Sequence, residues 1–144
     1  MHNKRIMGID FGLVRVGIAI TDKLHIAIST GPTLIYTDFN FWNNIKKLIL
    51  EKKIGCIVLG IPYEENEEHP MRKHIEDFER KLKLKLYELS LNIPIEHQDE
   101  SYTSRDAVNT MFEIGKKKKQ RSRKGNTDAI AAGLILKEWL SVNE

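Results

Sequence analysis

Acidic residues stand at three places in this sequence where a charge is costly unless something compensates it. Asp10 lies between Ile9 and Phe11 in the run Ile6-Met7-Gly8-Ile9-Asp10-Phe11-Gly12, and burying an ionised carboxylate in such company demands a cation or hydrogen-bond donors. Asp99 and Glu100 follow the short apolar strand Ile93 to His97, and Asp128 opens the apolar helix that continues through Leu136. If the fold gathers these regions, the result is a carboxylate cluster with few internal cations. Hard divalent ions such as Mg²⁺ or Mn²⁺ are the usual solution for such oxygen donors. Two ions held about 3.5–4 Å apart would activate water and stabilise the leaving oxygen of a phosphodiester. The matching chemistry is metal-dependent hydrolysis.

Each acid also has a plainer use. An aspartate at a helix start is favoured by the macrodipole, and Asp99-Glu100 can form an exposed turn pair. Asp10 has the fewest structural uses, and the conjunction of the three regions carries the reading. The histidines carry less: His97 shares a strand face with Asp99, His69 and His74 sit at a polar helix start without a third ligand, and none is assigned a role.

The charge is unevenly spread. The net charge is only +3, yet residues 116–124 hold seven cations and no acid: Lys116, Lys117, Lys118, Lys119, Arg121, Arg123 and Lys124. Such a run can be a solvated loop. Beside a helix that starts with a candidate catalytic acid, it favours a polyanion, because Lys and Arg contact phosphates and release counterions without reading sequence. The opposite charge gathers at Glu64-Glu65-Asn66-Glu67-Glu68.

The elements that must position these residues can be read from periodicity. The 144 residues suit a single domain spanning 1–144 with one substantial core. No membrane-length apolar run or cleavable leader is visible, and Cys56, the one cysteine, can form no internal disulfide. A cytoplasmic protein with an inert core thiol is expected. Val14 to Ile20 alternates strictly and, with the run before it, predicts a hairpin turning at Gly12-Leu13. A third strand is expected within Ile26–Ile35, interrupted by Gly31-Pro32. Phe41 or Trp42, Ile45, Leu48 and Ile49 recur at helical spacing after a cap at Asp38 or Asn40, and Ile54–Gly60 reads as a buried strand. A long helix carries Met71, Ile75, Phe78, Leu82 and Leu89, followed by a strand over Ile93–His97. Thr103-Ser104-Arg105-Asp106 predicts a helix ending near Gly115, the basic run is a loop, and Asn126 or Thr127 caps the final helix. The expected architecture is α/β: an antiparallel three-strand meander, then parallel strands, with flanking helices.

Gly8-Ile9-Asp10-Phe11-Gly12 with Arg15-Val16-Gly17-Ile18-Ala19-Ile20-Thr21-Asp22, Leu59-Gly60-Ile61-Pro62, Asp99-Glu100 with Thr103-Ser104, and Asp128-Ala129-Ile130-Ala131-Ala132 occur in that order. Together they resemble the YqgF family, small RNase H-like proteins described as pre-16S rRNA nucleases and, earlier, as Holliday junction resolvases. The resemblance covers nearly the whole chain. It implies an RNase H-like fold and a metal-dependent nuclease, most simply one processing the 5′ end of pre-16S rRNA. It carries the catalytic and metal-binding acids over to Asp10, Glu100 and Asp128, with Asp99 as a further ligand or a supporting group. Arg15 joins the basic run as an expected nucleic-acid contact. Two departures stand out: Ser101 replaces the family's usual arginine, for which Arg105 could substitute, and Tyr63 to Glu68 replaces a glycine-bearing polar turn.

Three other functions are compatible with the same residues. A four-way DNA junction would need a two-fold dimer with suitably spaced sites. Asp10-Phe11-Gly12 also resembles the first phosphate loop of the actin and sugar-kinase fold, which needs two domains to enclose ATP where this chain supplies one. A fold kept for RNA binding in ribosome assembly, without cleavage, would use the basic run alone.

Overall fold

The computed structural model describes residues 4–62, 70–100 and 124–144, the side chains of the last stretch from Asp128 onward. The alternating N-terminal segments form β1 (Arg5–Asp10) and β2 (Arg15–Thr21), paired antiparallel. The expected third strand is two short ones, β3 (Ile28–Thr30) and β4 (Leu34–Ile35), parted at Gly31-Pro32 and both antiparallel to β2. Helix α1 (Phe41–Glu51) leads to β5 (Ile54–Pro62), which lies parallel to β1. Helix α2 (Arg72–Glu88) leads to β6 (Ile95–Glu100), parallel to β5, and α3 (Lys124–Asn143) ends the chain.

The strand order is β3-β2-β1-β5-β6, with β4 also on β2. The meander followed by parallel strands is therefore observed, and β1 is central. In the parallel part β5 lies between β1 and β6.

The two-residue strand period divides the core between the faces of the sheet. On one face Met7, Ile9, Val16, Ile18, Ile57 and Leu59 meet Phe41, Ile45 and Ile49 of α1 and Ile75, Phe78, Leu82 and Leu86 of α2. On the other, Ile6, Ala19, Cys56 and Val58 meet Ala132, Ile135, Leu136 and Trp139 of α3. Phe11, just past β1, is anchored on the α1/α2 side by the rings of Phe78 (4.7 Å) and Tyr36 (5.0 Å).

Helix boundaries differ in detail from the sequence reading. Asn40 holds the cap position of α1 without a side-chain cap bond, while Asp38 Oδ1 accepts the Asn40 N–H at 2.8 Å and shapes the turn before it. On α2 the apolar face continues through Leu86, and Leu89 stands at the C-cap. Helix α3 starts at Lys124 instead of behind an Asn126 or Thr127 cap. Gly, Asn and Thr cost a helix interior only about 1 kcal/mol or less each, and the apolar burial of the following turns outweighs that. Asp128 is thus the fifth residue of α3, beyond the first turn where the macrodipole acts most strongly.

The expected helix over residues 103–115, most of the basic run, the acidic stretch 64–68, Ser101 and Arg105 lie outside the described residues. Among the described residues, no helix is long and apolar enough to cross a membrane.

Candidate active site

The parallel strands β1, β5 and β6 end at Asp10, Pro62 and Glu100, and the carboxyl ends of parallel strands are where open α/β sheets place their sites. At that edge the pleat decides which acids share a face. Asp10 has the parity of Ile6 and Gly8, whose neighbours are on α3. Glu100 has the parity of Gln98, whose Nε2 donates to Glu138 Oε2 of α3 at 3.5 Å. Asp99 has the opposite parity, shared with His97, whose Nε2 lies 2.8 Å from Glu79 Oε1 of α2. Asp10, Glu100 and Asp128 therefore belong to the α3 side, and Asp99 turns to the other.

Two glycines beside Asp10 allow close approach from α3 and from Glu100. Gly17 is paired directly with Asp10, and a Cβ there would collide with the Asp128 carbonyl oxygen. The missing side chain admits the backbone of α3 against β2 at the level of Asp10. On the other side of β1, the register that pairs Ile9 with Leu59 brings Asp10 level with Gly60. A Cβ on Gly60 would collide with Ile135 Cδ1 and stand 3.2 Å from Glu100 Oε1. The Glu100 carboxylate thus reaches over the glycine that separates it from Asp10. Neither glycine has a local sequence signal beyond its place in a motif, because its role appears only once α3 is docked.

Arg15 occupies the same face at the start of β2. Its Nε donates to Asp128 Oδ2 at 3.2 Å, and the two side chains are 37% and 29% exposed. The sequence reading placed Arg15 with the nucleic-acid contacts and did not foresee this pairing across 113 residues. Of the other expected nucleic-acid contacts, Lys116, Lys117, Lys118, Lys119, Arg121 and Arg123 lie outside the described residues, while Lys124 begins α3.

Hard oxygen donors suit Mg²⁺ or Mn²⁺, and Asp10, Glu100 and Asp128 supply only oxygens. Among the described residues, no three His, Cys, Asp or Glu are grouped closely enough to hold one ion. The donor chemistry fits, with Arg15 standing on one of the donors.

A mixed sheet with an antiparallel meander, parallel strands and flanking helices is an RNase H-like fold. Solved structures share this fold: "T. thermophilus RuvC in complex with Holliday junction substrate" is similar at a TM-score of 0.53 and 10% identity, covering 97% of this chain and 96% of that one. The fowlpox virus resolvase bound to Holliday junction DNA matches at a TM-score of 0.53 and 14% identity, covering 97% and 99%. The chain belongs to the family described as "RuvX: Holliday junction resolvase", whose profile matches residues 4–142. This is the family that the sequence motifs resemble. A relative from Bacteroides fragilis, "Putative pre-16S rRNA nuclease", is 37% identical over 140 residues, covering 94% of this chain and 95% of its own. One of the same description from Bacteroides thetaiotaomicron is 39% identical over 137 residues, with 94% and 95% covered.

Proposed function

We propose that this chain is a cytoplasmic nuclease, one RNase H-like domain over residues 1–144, that hydrolyses phosphodiester bonds of nucleic acid with Mg²⁺ or Mn²⁺. Its proposed substrate is RNA, at the 5′ end of pre-16S rRNA. The observation that carries the reading is the pair of glycines flanking Asp10, Gly17 under Asp128 and Gly60 under Glu100, which opens the sheet for acids from three distant segments. Close approach of that kind serves a shared site better than it serves three separate surface acids.

Asp10, Glu100 and Asp128 would hold the metal, which when bound supplies water activation and stabilisation of the leaving oxygen. The chain's own residues do the rest. β1 and β6 fix two of the carboxylates on rigid strands, and α3 fixes the third. Arg15 and the basic residues of 116–124 hold the phosphate backbone, contacts that position a nucleic acid without reading its sequence. Asp99, on the opposite face, stands outside this ligand set.

The curated relatives' description favours RNA, and the family's description favours a four-way DNA junction. Cleavage of a labelled RNA carrying the 16S 5′ extension, beside a four-way DNA junction, in Mn²⁺ and in EDTA, separates the two. Metal-dependent cutting of the RNA is expected. Preferential cutting of the junction would move the function to resolution, and binding without cutting of either would leave a fold kept for assembly of the ribosome.

A further inference from the structure

We propose that Arg15 is an internal counter-ion that a divalent metal displaces from Asp128, freeing its guanidinium for a substrate phosphate. The inference rests on the nuclease reading above and adds to it a residue that couples metal binding to substrate binding.

Arg15 stands at the first position of β2, two residues before the Gly17 that faces Asp10, and reaches across to α3. It bonds Asp128 through Nε, at the neck of the guanidinium. The terminal fork is the part of an arginine that matches phosphate oxygens in pairs. With more than a quarter of each side chain open to water, the pair is exchangeable and holds little stability of its own. A structural pin between sheet and helix would be better served by burial.

The charges explain the arrangement. The guanidinium of Arg15 offsets the negative charge of Asp128 on a face that also carries Asp10 and Glu100. A divalent ion at the same carboxylate offsets more of it and is itself repelled by the arginine. Metal and guanidinium therefore compete for Asp128. Once displaced, the guanidinium remains tethered beside the site, where a phosphate drawn in by the metal would meet it.

The test is Mn²⁺ binding to the protein free of nucleic acid, followed by electron paramagnetic resonance, for wild type, Arg15→Gln and Arg15→Lys. The free energy typical of such partly exposed pairs, about 0.2–1 kcal/mol, corresponds to an affinity for Mn²⁺ roughly 1.4- to 5-fold tighter in Arg15→Gln. Arg15→Lys, which keeps the charge, should stay near wild type. In Ca²⁺ the glutamine variant should bind RNA more weakly, with a salt slope lower by about 0.7 for one lost single-strand phosphate contact. Equal or weaker Mn²⁺ binding by Arg15→Gln would overturn the competition. Absence of Mn²⁺ binding in all three proteins would instead remove the metal reading on which it rests. The wild type gives an independent readout, since Mg²⁺ should shift the Nε–H resonance of Arg15; an unmoved resonance at saturating Mg²⁺ would show that the pair persists.

Discussion

Both ring nitrogens of His25 face oxygens, Nδ1 at 2.9 Å from Glu144 Oε1 and Nε2 at 2.8 Å from the Lys4 carbonyl. Only the doubly protonated ring can donate to both. Burial of the ring opposes its charge, and the Lys4 carbonyl and the Glu144 carboxylate overcome that, so the histidine's pKa is raised. A raised folded-state pKa contributes stability that is complete below the unfolded value of about 6.5 and is lost as pH rises through the folded value. Wild type should therefore exceed His25→Gln in Tm by more at pH 5.5 than at pH 8.5. A difference independent of pH would show that the ring acts by shape alone. His25 follows β2 at the end of the sheet away from Asp10, so this titration belongs to the fold and leaves the site's own pH response separate. Cys56 shows the opposite effect of burial: its thiol is pushed up to about 11, with the charges of Glu96 and Glu144 adding to it, which suits an inert core thiol.

Among the elements, α3 and β5 determine whether the acids meet. A methyl group at Gly17 would strike the Asp128 carbonyl, a backbone atom that cannot yield without moving the helix. Gly17→Ala should cost about 1–3 kcal/mol, as overfilled sites do. At Gly60 the obstacles are the tip of Ile135 and the Glu100 carboxylate, which can both swing. Gly60→Ala should lose less stability and proportionately more cleavage, because the side chain that must move is a proposed ligand. Thermal unfolding and cleavage rates measured on both variants check the contrast, and equal effects on the two quantities would contradict it. Much of this level was legible in the sequence. Alternation gave β2, the apolar run before it gave β1, and the three-and-four spacing gave α1 and most of α2. The parity that separates Asp99 from Glu100 was also available, since Ile95 with Asp99 and Glu96 with Glu100 must face opposite ways on any strand. The start of α3 was not, because Gly125, Asn126 and Thr127 carry the local preferences of a cap or turn yet lie within the helix.

Across the whole molecule, a central β1 flanked by β2 and β5 and covered by α3 places Asp10, Gly60 and Glu100 at one edge, with the Asp128 backbone against Gly17. The oddity of Asp10 made such a gathering a condition on the fold; β1 is central, and Asp10, Glu100 and Asp128 lie toward the α3 face of the sheet. What could not be read was the pairing of Arg15 with Asp128, since no local pattern links residues 113 positions apart. In the proposed nuclease, Asp10 anchors the metal-dependent site. That role is tested most directly by measuring Mn²⁺-dependent cleavage of the 16S-precursor RNA by wild type and Asp10→Asn, with thermal unfolding of each protein alongside. The variant is expected to lose cleavage while unfolding at or above the wild-type temperature without metal, because one of three carboxylates on the same face is neutralised. Full cleavage by a folded Asp10→Asn would contradict it.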